Sequence, residues 1–211
     1  MAIIDLTLPL DKGPDGTCVI NRSEKKVTSL HKSYTAALFD VRISSMAGTY
    51  IDFPGHIHET DDGADAGNAP VENFFRLATA VIHLDRQSGS GGISARELAD
   101  NVSADVHECR ALIINGIGKR TYSDVDDRSV FLLKDAADWI VSTRCRLVVS
   151  DVYESREIQG IFNILFSAGI CTVCRPANLF KITDACVLTS VVVLPLQGVT
   201  QCTCRVFAEK K

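Results

Sequence analysis

The sequence predicts an α/β fold, a single domain over residues 1–211 built on a mixed sheet, and three observations carry that expectation. Ala111-Leu112-Ile113-Ile114 and Leu147-Val148-Val149 are short continuous apolar runs of the kind found in strands buried on both faces. Apolar residues recur at helical spacing at Leu132, Leu133, Ala136, Ala137, Trp139 and Ile140. A second such stripe follows at Ile158, Ile161, Phe162, Leu165 and Phe166. Strands alternating with helices in the second half imply crossover connections and partly parallel pairing. The first half is richer in strands, which makes the sheet mixed.

Taken in order, Ile3–Leu10 reads as an opening strand and Asp11–Gly16 as a turn cluster. Cys18 to Tyr34 is weakly patterned, with an edge strand expected around Val27. Ala37–Ile43 alternates apolar and polar residues, so a half-buried strand should deliver the chain to the stretch that follows. Glu59–Asn68 is polar and rich in glycine, a loop, and Pro70–Phe75 reads as a short helical segment. Ala78–Leu84 is a strand in which His83 is expected to be a satisfied structural histidine. Ser88–Gly92 has linker composition but is too short to divide domains. Ser94 and Glu97 then form a capping-box pattern, with the serine and glutamate satisfying free N–H groups of a helix that runs to about Asn101.

The remaining elements are a strand within Cys109–Ile117, a helix over Val130–Ser142 and a strand at Leu147–Asp151. The second helical stripe is stopped at Ala168-Gly169. Ile170–Cys174, Cys186–Leu194 and Cys202–Ala208 close the chain as strands.

Composition narrows the function classes. Hydrophobic content of 46% and charged content of 23% belong to a soluble globular protein. A net charge of −4 leaves no basic footprint for nucleic acid. The longest apolar tract, near Val187–Leu196, is too short to span a bilayer, so no membrane partner is expected. The opening residues lack the pattern of a signal peptide, which points to the cytoplasm. The eight cysteines then read as reduced thiols, mostly in the core. Cys171 and Cys174 have redox spacing, and no second CxxC accompanies them.

The chemistry concentrates in Met46-Ala47-Gly48-Thr49-Tyr50-Ile51-Asp52-Phe53-Pro54-Gly55-His56-Ile57-His58. Thirteen residues hold an acid, two imidazoles, a phenol and a thioether beside a predicted strand end. Gly48 allows close backbone approach and Pro54 fixes the exit from the strand. The plain alternative is a polar strand end running into a solvated loop. Within a site, His56 is a candidate general base, oriented by Asp52.

The same stretch resembles the signature His-x-Gly-Thr-His-x-Asp-x-Pro-x-His of the cyclase family, whose members include bacterial-type kynurenine formamidases and isatin hydrolases. Gly48, Thr49, Asp52, Pro54 and His56 match it, while Met46 and Tyr50 stand where its first two histidines would be. Phe162–Cys174 resembles the family's second motif, with Phe162 and Cys174 in place of a histidine and a glutamate. Leu112–Gly116, Arg146–Asp151, Asn178-Leu179, Leu194–Leu196 and Cys204–Ala208 follow the family's order along nearly the whole chain.

The resemblance implies the swivelling β/β/α fold and hydrolysis of a small amide, formamide or cyclic amide. It implies homodimers or homotetramers and a divalent metal, zinc or manganese. Of five metal-ligand positions only Asp52 is retained, so a metal-free site is expected. A makeshift zinc set of Asp52, His56 and Cys174 with Tyr50 stays chemically possible. Catalysis is expected at His56 and Asp52, with Cys174 as an alternative nucleophile activated by His56 and its thiolate favoured by Arg175, against the plainer expectation of a buried inert thiol at Cys174. Met46, Tyr50, Phe53, Phe162 and Arg175 are expected to line the substrate pocket. Two other readings stand beside the hydrolase. One is a relative that keeps the pocket and binds a small ligand or serves a structural role without catalysis; the other is a thiol redox protein using Cys171 and Cys174.

Overall fold

The structure, a computed structural model, describes residues 2–10, 17–84, 86 and 90–210. The turn cluster expected at 11–16, and Ser88 and Gly89 of the glycine-serine run, lie outside them. The described strands are β1 (Ile3–Asp5), β2 (Cys18–Thr28), β3 (Ser33–Ile43), β4 (Tyr50–Asp52), β5 (Leu77–His83), β6 (Gly91–Ile93) and β7 (Ala111–Asn115). They continue with β8 (Val130–Leu132), β9 (Leu147–Ser150), β10 (Cys171–Cys174), β11 (Cys186–Val192), β12 (Gln201–Thr203) and β13 (Arg205–Lys210). The helices are α1 (Ala95–Asn101), α2 (Lys134–Ser142) and α3 (Ile161–Ser167).

Nine strands make one mixed sheet in the order β1-β13-β11-β5-β7-β9-β10-β4-β12. Its centre is parallel, β5 to β7 to β9 to β10, and its flanks are antiparallel. Only Cys204 separates β12 from β13, yet the two strands lie near opposite ends of the strand order. The sheet must therefore curl until its ends approach each other.

Two apolar layers follow from this curl. The inner one gathers Leu6, Ile51, Phe53, Val81, Ile113, Val149, Val173 and Val206, contributed from both ends of the sheet. The outer face carries Tyr50, Ile82, Leu112, Ile114, Val148 and Cys174 beneath Leu98 of α1, Ile140 of α2 and Leu165 of α3. All five residues of β7 are buried, as its continuous apolar run requires with cover on both faces. Each fully buried Ile or Leu stabilises the fold by roughly 2–3 kcal/mol in transfer terms.

Several expectations are corrected here. The strand forecast at Ala37–Ile43 belongs to a long ribbon in which β3 pairs with β2 alone, outside the main sheet. Phe39 is 60% exposed and Leu38 47%, so the alternation is present but no second layer covers either face. The opening strand ends at Asp5. The helix forecast from Val130 begins at Lys134, because Val130–Leu132 instead pairs in parallel with Gly91–Ile93. Ile158, forecast in a helical stripe, sits at φ +51 and is exposed; Gly160, at φ +82, caps the later start of α3.

At α1 the side chain of Ser94 accepts from the Glu97 N–H as expected, but Glu97 does not return the bond to Ser94. Its carboxylate takes the Arg86 guanidinium in two bonds, at 2.7 and 2.5 Å. A charged bidentate partner outcompetes a backbone N–H. His83 is a satisfied structural histidine, its ring between the Ile182 carbonyl and the Asn115 amide. No helix of the described residues is long and apolar enough to cross a membrane.

Candidate active site

The site is assembled by strand register. β4 lies between β10 and β12, with Asp52 opposite Thr172 on one side and Gln201 on the other. Tyr50 lies opposite Cys174 and Thr203. Because side chains alternate along a strand, Tyr50, Asp52, Thr172, Cys174 and Gln201 all point to the same, helix-covered face. Ile51 and Phe53 point the other way.

The turn before β4 sets that register. Gly48 has φ +63, and a Cβ there would meet Leu10 Cδ2 at 2.8 Å and the Leu8 carbonyl at 3.1 Å. The Thr49 hydroxyl accepts from the Leu8 N–H at 2.7 Å and donates to the Arg175 carbonyl at 2.8 Å. One hydroxyl thus ties the start of the chain to the end of β10. After Asp52, the turn Pro54–His56 carries His56 to the surface.

Asp52 is buried, and both of its oxygens are bonded. Gln201 Nε2 donates to Oδ1 at 2.7 Å, and the Cys174 thiol donates to Oδ2 at 3.5 Å. Gln201 Nε2 also lies 3.3 Å from His56 Nε2, and Ser45 Oγ donates to Gln201 Oε1 at 2.8 Å. His56 and Asp52 are therefore brought together, with an amide between them. Burial raises the Asp52 carboxyl above its ordinary range, opposed by the Gln201 bond and by His56. Burial, then the charge of Asp52, pushes the Cys174 thiol well up. Tyr50 is raised by burial and by its neighbours Cys174 and Asp52. The thiol is thus a protonated donor, which counts against the thiolate nucleophile expected at Cys174. Arg175 stacks over the Tyr122 ring at 5.6 Å instead.

Cys174 also forms part of the wall of a cavity of about 460 Å³, with Tyr50, Tyr122, Tyr153, Phe162 and Arg175. Phe162 is held by Tyr153 at 5.1 Å and Phe166 at 5.5 Å between ring centres. Tyr50, Phe162 and Arg175 thus line this cavity. Met46 and Phe53 do not. Met46 is half exposed on the turn before β4, and Phe53 is fully buried on the inner face against Phe74. Asp52 and His56 are not among the lining residues of this cavity; Asp52 lies directly behind Cys174. Cys171 and Cys174 sit in the inner and outer layers respectively, on opposite faces of one strand, so they cannot pair as a redox couple.

Sequence reasoning missed Gln201, Tyr122, Tyr153 and Asp151. Asp151 follows β9 at the carboxyl end of the parallel strands, where α/β sheets place their ligands. Its oxygens accept the N–H groups of Gly116 at 2.7 Å and Ile117 at 3.3 Å, and it lines the cavity. Burial outweighs these bonds and pushes its carboxyl up to about 7. That position in the parallel core was the available signal.

The family's metal does not fit these residues. Zinc or manganese needs several oxygen, nitrogen or thiolate donors converging on one point. Among the described residues no three His, Cys, Asp or Glu side chains are so grouped. Asp52 and His56 are satisfied by Gln201, and Phe162 offers no donor.

Comparisons with known proteins complete the picture. The family model described as "Putative cyclase" matches residues 4–155. An isatin hydrolase A from Labrenzia aggregata, solved with benzyl benzoate, superposes with a TM-score of 0.73 at 19% identity. That match covers 98% of this chain and 93% of that one. A predicted metal-dependent hydrolase from Bacillus stearothermophilus gives a TM-score of 0.66 at 17% identity, covering 98% and 97%. A protein described as a novel cyclase gives 0.75 at 13% identity, covering 99% and 88%. No match was found among the curated proteins. The family model, the order of the sheet and the retained Gly48, Thr49, Asp52, Pro54 and His56 agree, and the chain belongs to the Putative cyclase family.

Proposed function

We propose that this chain is a hydrolase of a small amide, formamide or cyclic amide bearing an aromatic ring, working with altered metal dependence. The observation that carries the reading is Asp52 bonded to Cys174, whose thiol forms part of the wall of an aromatic-sided cavity, with Gln201 joining Asp52 to the exposed His56. Tyr50, Tyr122, Tyr153 and Phe162 suit a flat ring, and Arg175 stands at its edge. Relatives of this fold are described as isatin hydrolases and metal-dependent hydrolases, one of them bound to an aromatic ester.

Hydrolysis needs a base for water and donors for the carbonyl oxygen. His56, exposed beside Gln201, is the base once its Nε2 exchanges the amide hydrogen for water, and the Tyr50 hydroxyl, kept protonated on the cavity wall, is the donor. Water gives its proton to the imidazole while its oxygen bonds to the carbonyl carbon. The C–N bond then breaks, and the imidazolium returns the proton to the leaving nitrogen.

A second reading, binding without turnover, is favoured by one observation: both Asp52 oxygens are already satisfied internally. One experiment separates the two. The purified chain is incubated with aryl formamides and cyclic amides such as N-formylkynurenine and isatin, while calorimetry measures binding and mass spectrometry measures product. Product at a rate above buffer supports the hydrolase, binding without product supports the second reading, and neither outcome sinks both.

We further propose that the chain works as a homodimer or homotetramer, with the β2–β3 ribbon covered by a second copy. Tyr34, Leu38, Phe39 and Val41 are exposed along it, and a two-stranded ribbon is marginal alone. A chain with most of its cysteines buried in the core suits a reducing, cytoplasmic setting.

A further inference from the structure

The groups that could hold a cation in this fold face a side-chain amide instead. Asp52 Oδ1 and His56 Nε2 are directed at one atom, Gln201 Nε2, at 2.7 and 3.3 Å. A carboxylate oxygen can only accept, so the amide must present its nitrogen rather than its oxygen. Ser45 Oγ, donating to Gln201 Oε1 at 2.8 Å, is satisfied in that orientation. A primary amide nitrogen has two hydrogens, and here there are two acceptors. Asp52 Oδ1 and His56 Nε2 are the two partners of that nitrogen.

The arrangement is built rather than incidental. Gln201 lies directly across from Asp52 in the β4–β12 register, and it is 9% exposed. The other Asp52 oxygen takes the Cys174 thiol. A zinc ion bound by Asp52 and His56 would sit about 2 Å from each donor. The space between those donors belongs to the amide nitrogen.

We propose that the Gln201 carboxamide is the resident, uncharged substitute for the divalent cation, closing this site to zinc and manganese and joining Asp52 and His56 into a metal-independent unit. Metal-chelating anions gain nothing from it. The inference stands apart from the hydrolase reading, because it is read by metal uptake and not by turnover.

The test uses the full chain. Wild type, Asp52→Asn, Gln201→Glu and the double variant are incubated with zinc chloride or manganese chloride and freed of unbound metal. Bound metal is then counted by mass spectrometry, with the manganese resonance spectrum of the wild type as a second readout. Zinc held by the cysteines cancels in the comparison with Asp52→Asn. Wild type is expected to hold no more metal than Asp52→Asn and to show no manganese resonance beyond that of Asp52→Asn. Gln201→Glu supplies a third donor beside Asp52 and His56, and is expected to gain about one zinc per chain, lost again in the double variant. Wild-type metal that Asp52→Asn loses would overturn the proposal. So would a Gln201→Glu protein that melts as the wild type does yet gains none. If Gln201→Glu does not fold, the wild-type comparison and spectrum decide alone.

Discussion

Asp151 shows how one buried side chain ties stability to pH. Its carboxyl titrates near 7 in the folded chain against 3.8 for an ordinary aspartate, because burial outweighs two backbone hydrogen bonds. A raised pKa means the folded state holds this proton more tightly. Its contribution is complete below about pH 4 and is lost as pH rises through 7. Tyr122 and Arg120 are the other titratable groups coupled to it, and the raised carboxyl of Asp52 acts in the same direction. Between pH 5 and 8 the wild-type Tm should fall by roughly 5–10 °C more than that of Asp151→Asn, which keeps Asp52. Parallel curves would show that Asp151 is ionised throughout. Cys174 gives a second check at this scale. Buried, protonated and donating to Asp52, it should react with iodoacetamide on the order of 100-fold more slowly in the native chain than after denaturation. Fast native labelling would restore the thiolate nucleophile.

What the sequence made legible at this scale follows from distance along the chain. Asp52, Pro54 and His56 lie within one short motif, so their grouping could be read directly. Gln201 reaches Asp52 across a separation of 149 residues, and an isolated glutamine beside Cys202 carries no local signal. Phe53 was misplaced for the opposite reason. It follows Asp52 in sequence, and alternation along the strand turns it to the inner face.

Among the elements, β4 is only three residues long, and its register is held from outside by Gly48 and Thr49. Gly48→Ala forces an L residue to φ +63 and brings its Cβ against Leu10 and the Leu8 carbonyl. A loss of about 1–2 kcal/mol in urea unfolding is expected. An unchanged midpoint would mean that the turn can move without cost. The continuous apolar runs of β7 and β9 were legible because burial on both faces leaves no other pattern. β3 was found but its setting was not. Alternation shows that a strand has two unlike faces, and says nothing of whether a partner covers one. Replacing Leu38 and Phe39 with serine should leave the melting curve of the main sheet unchanged while light scattering falls to the monomer mass. A wild type that is already monomeric would remove the ribbon's proposed role.

At the scale of the whole molecule, the curl of the sheet brings the end of the chain to its signature motif. β12 supplies Gln201 to β4, and one residue later β13 pairs with β1 and β11. The α/β class and the mixed sheet were legible from periodicity, while this closure was not, because β12 and β13 read as one strand. The closure also explains how a chain that has exchanged the family's metal-ligand positions can still organise Asp52 and His56. The central claim is that this organised pair acts on a small amide without a resident cation. Its most direct test is turnover of an aryl formamide or cyclic amide by protein stripped and assayed in EDTA, with Asp52→Asn beside it. The account predicts that the wild-type rate survives EDTA and falls about 100-fold or more in Asp52→Asn. A rate abolished by EDTA and restored by zinc or manganese, or one indifferent to Asp52→Asn, would contradict it.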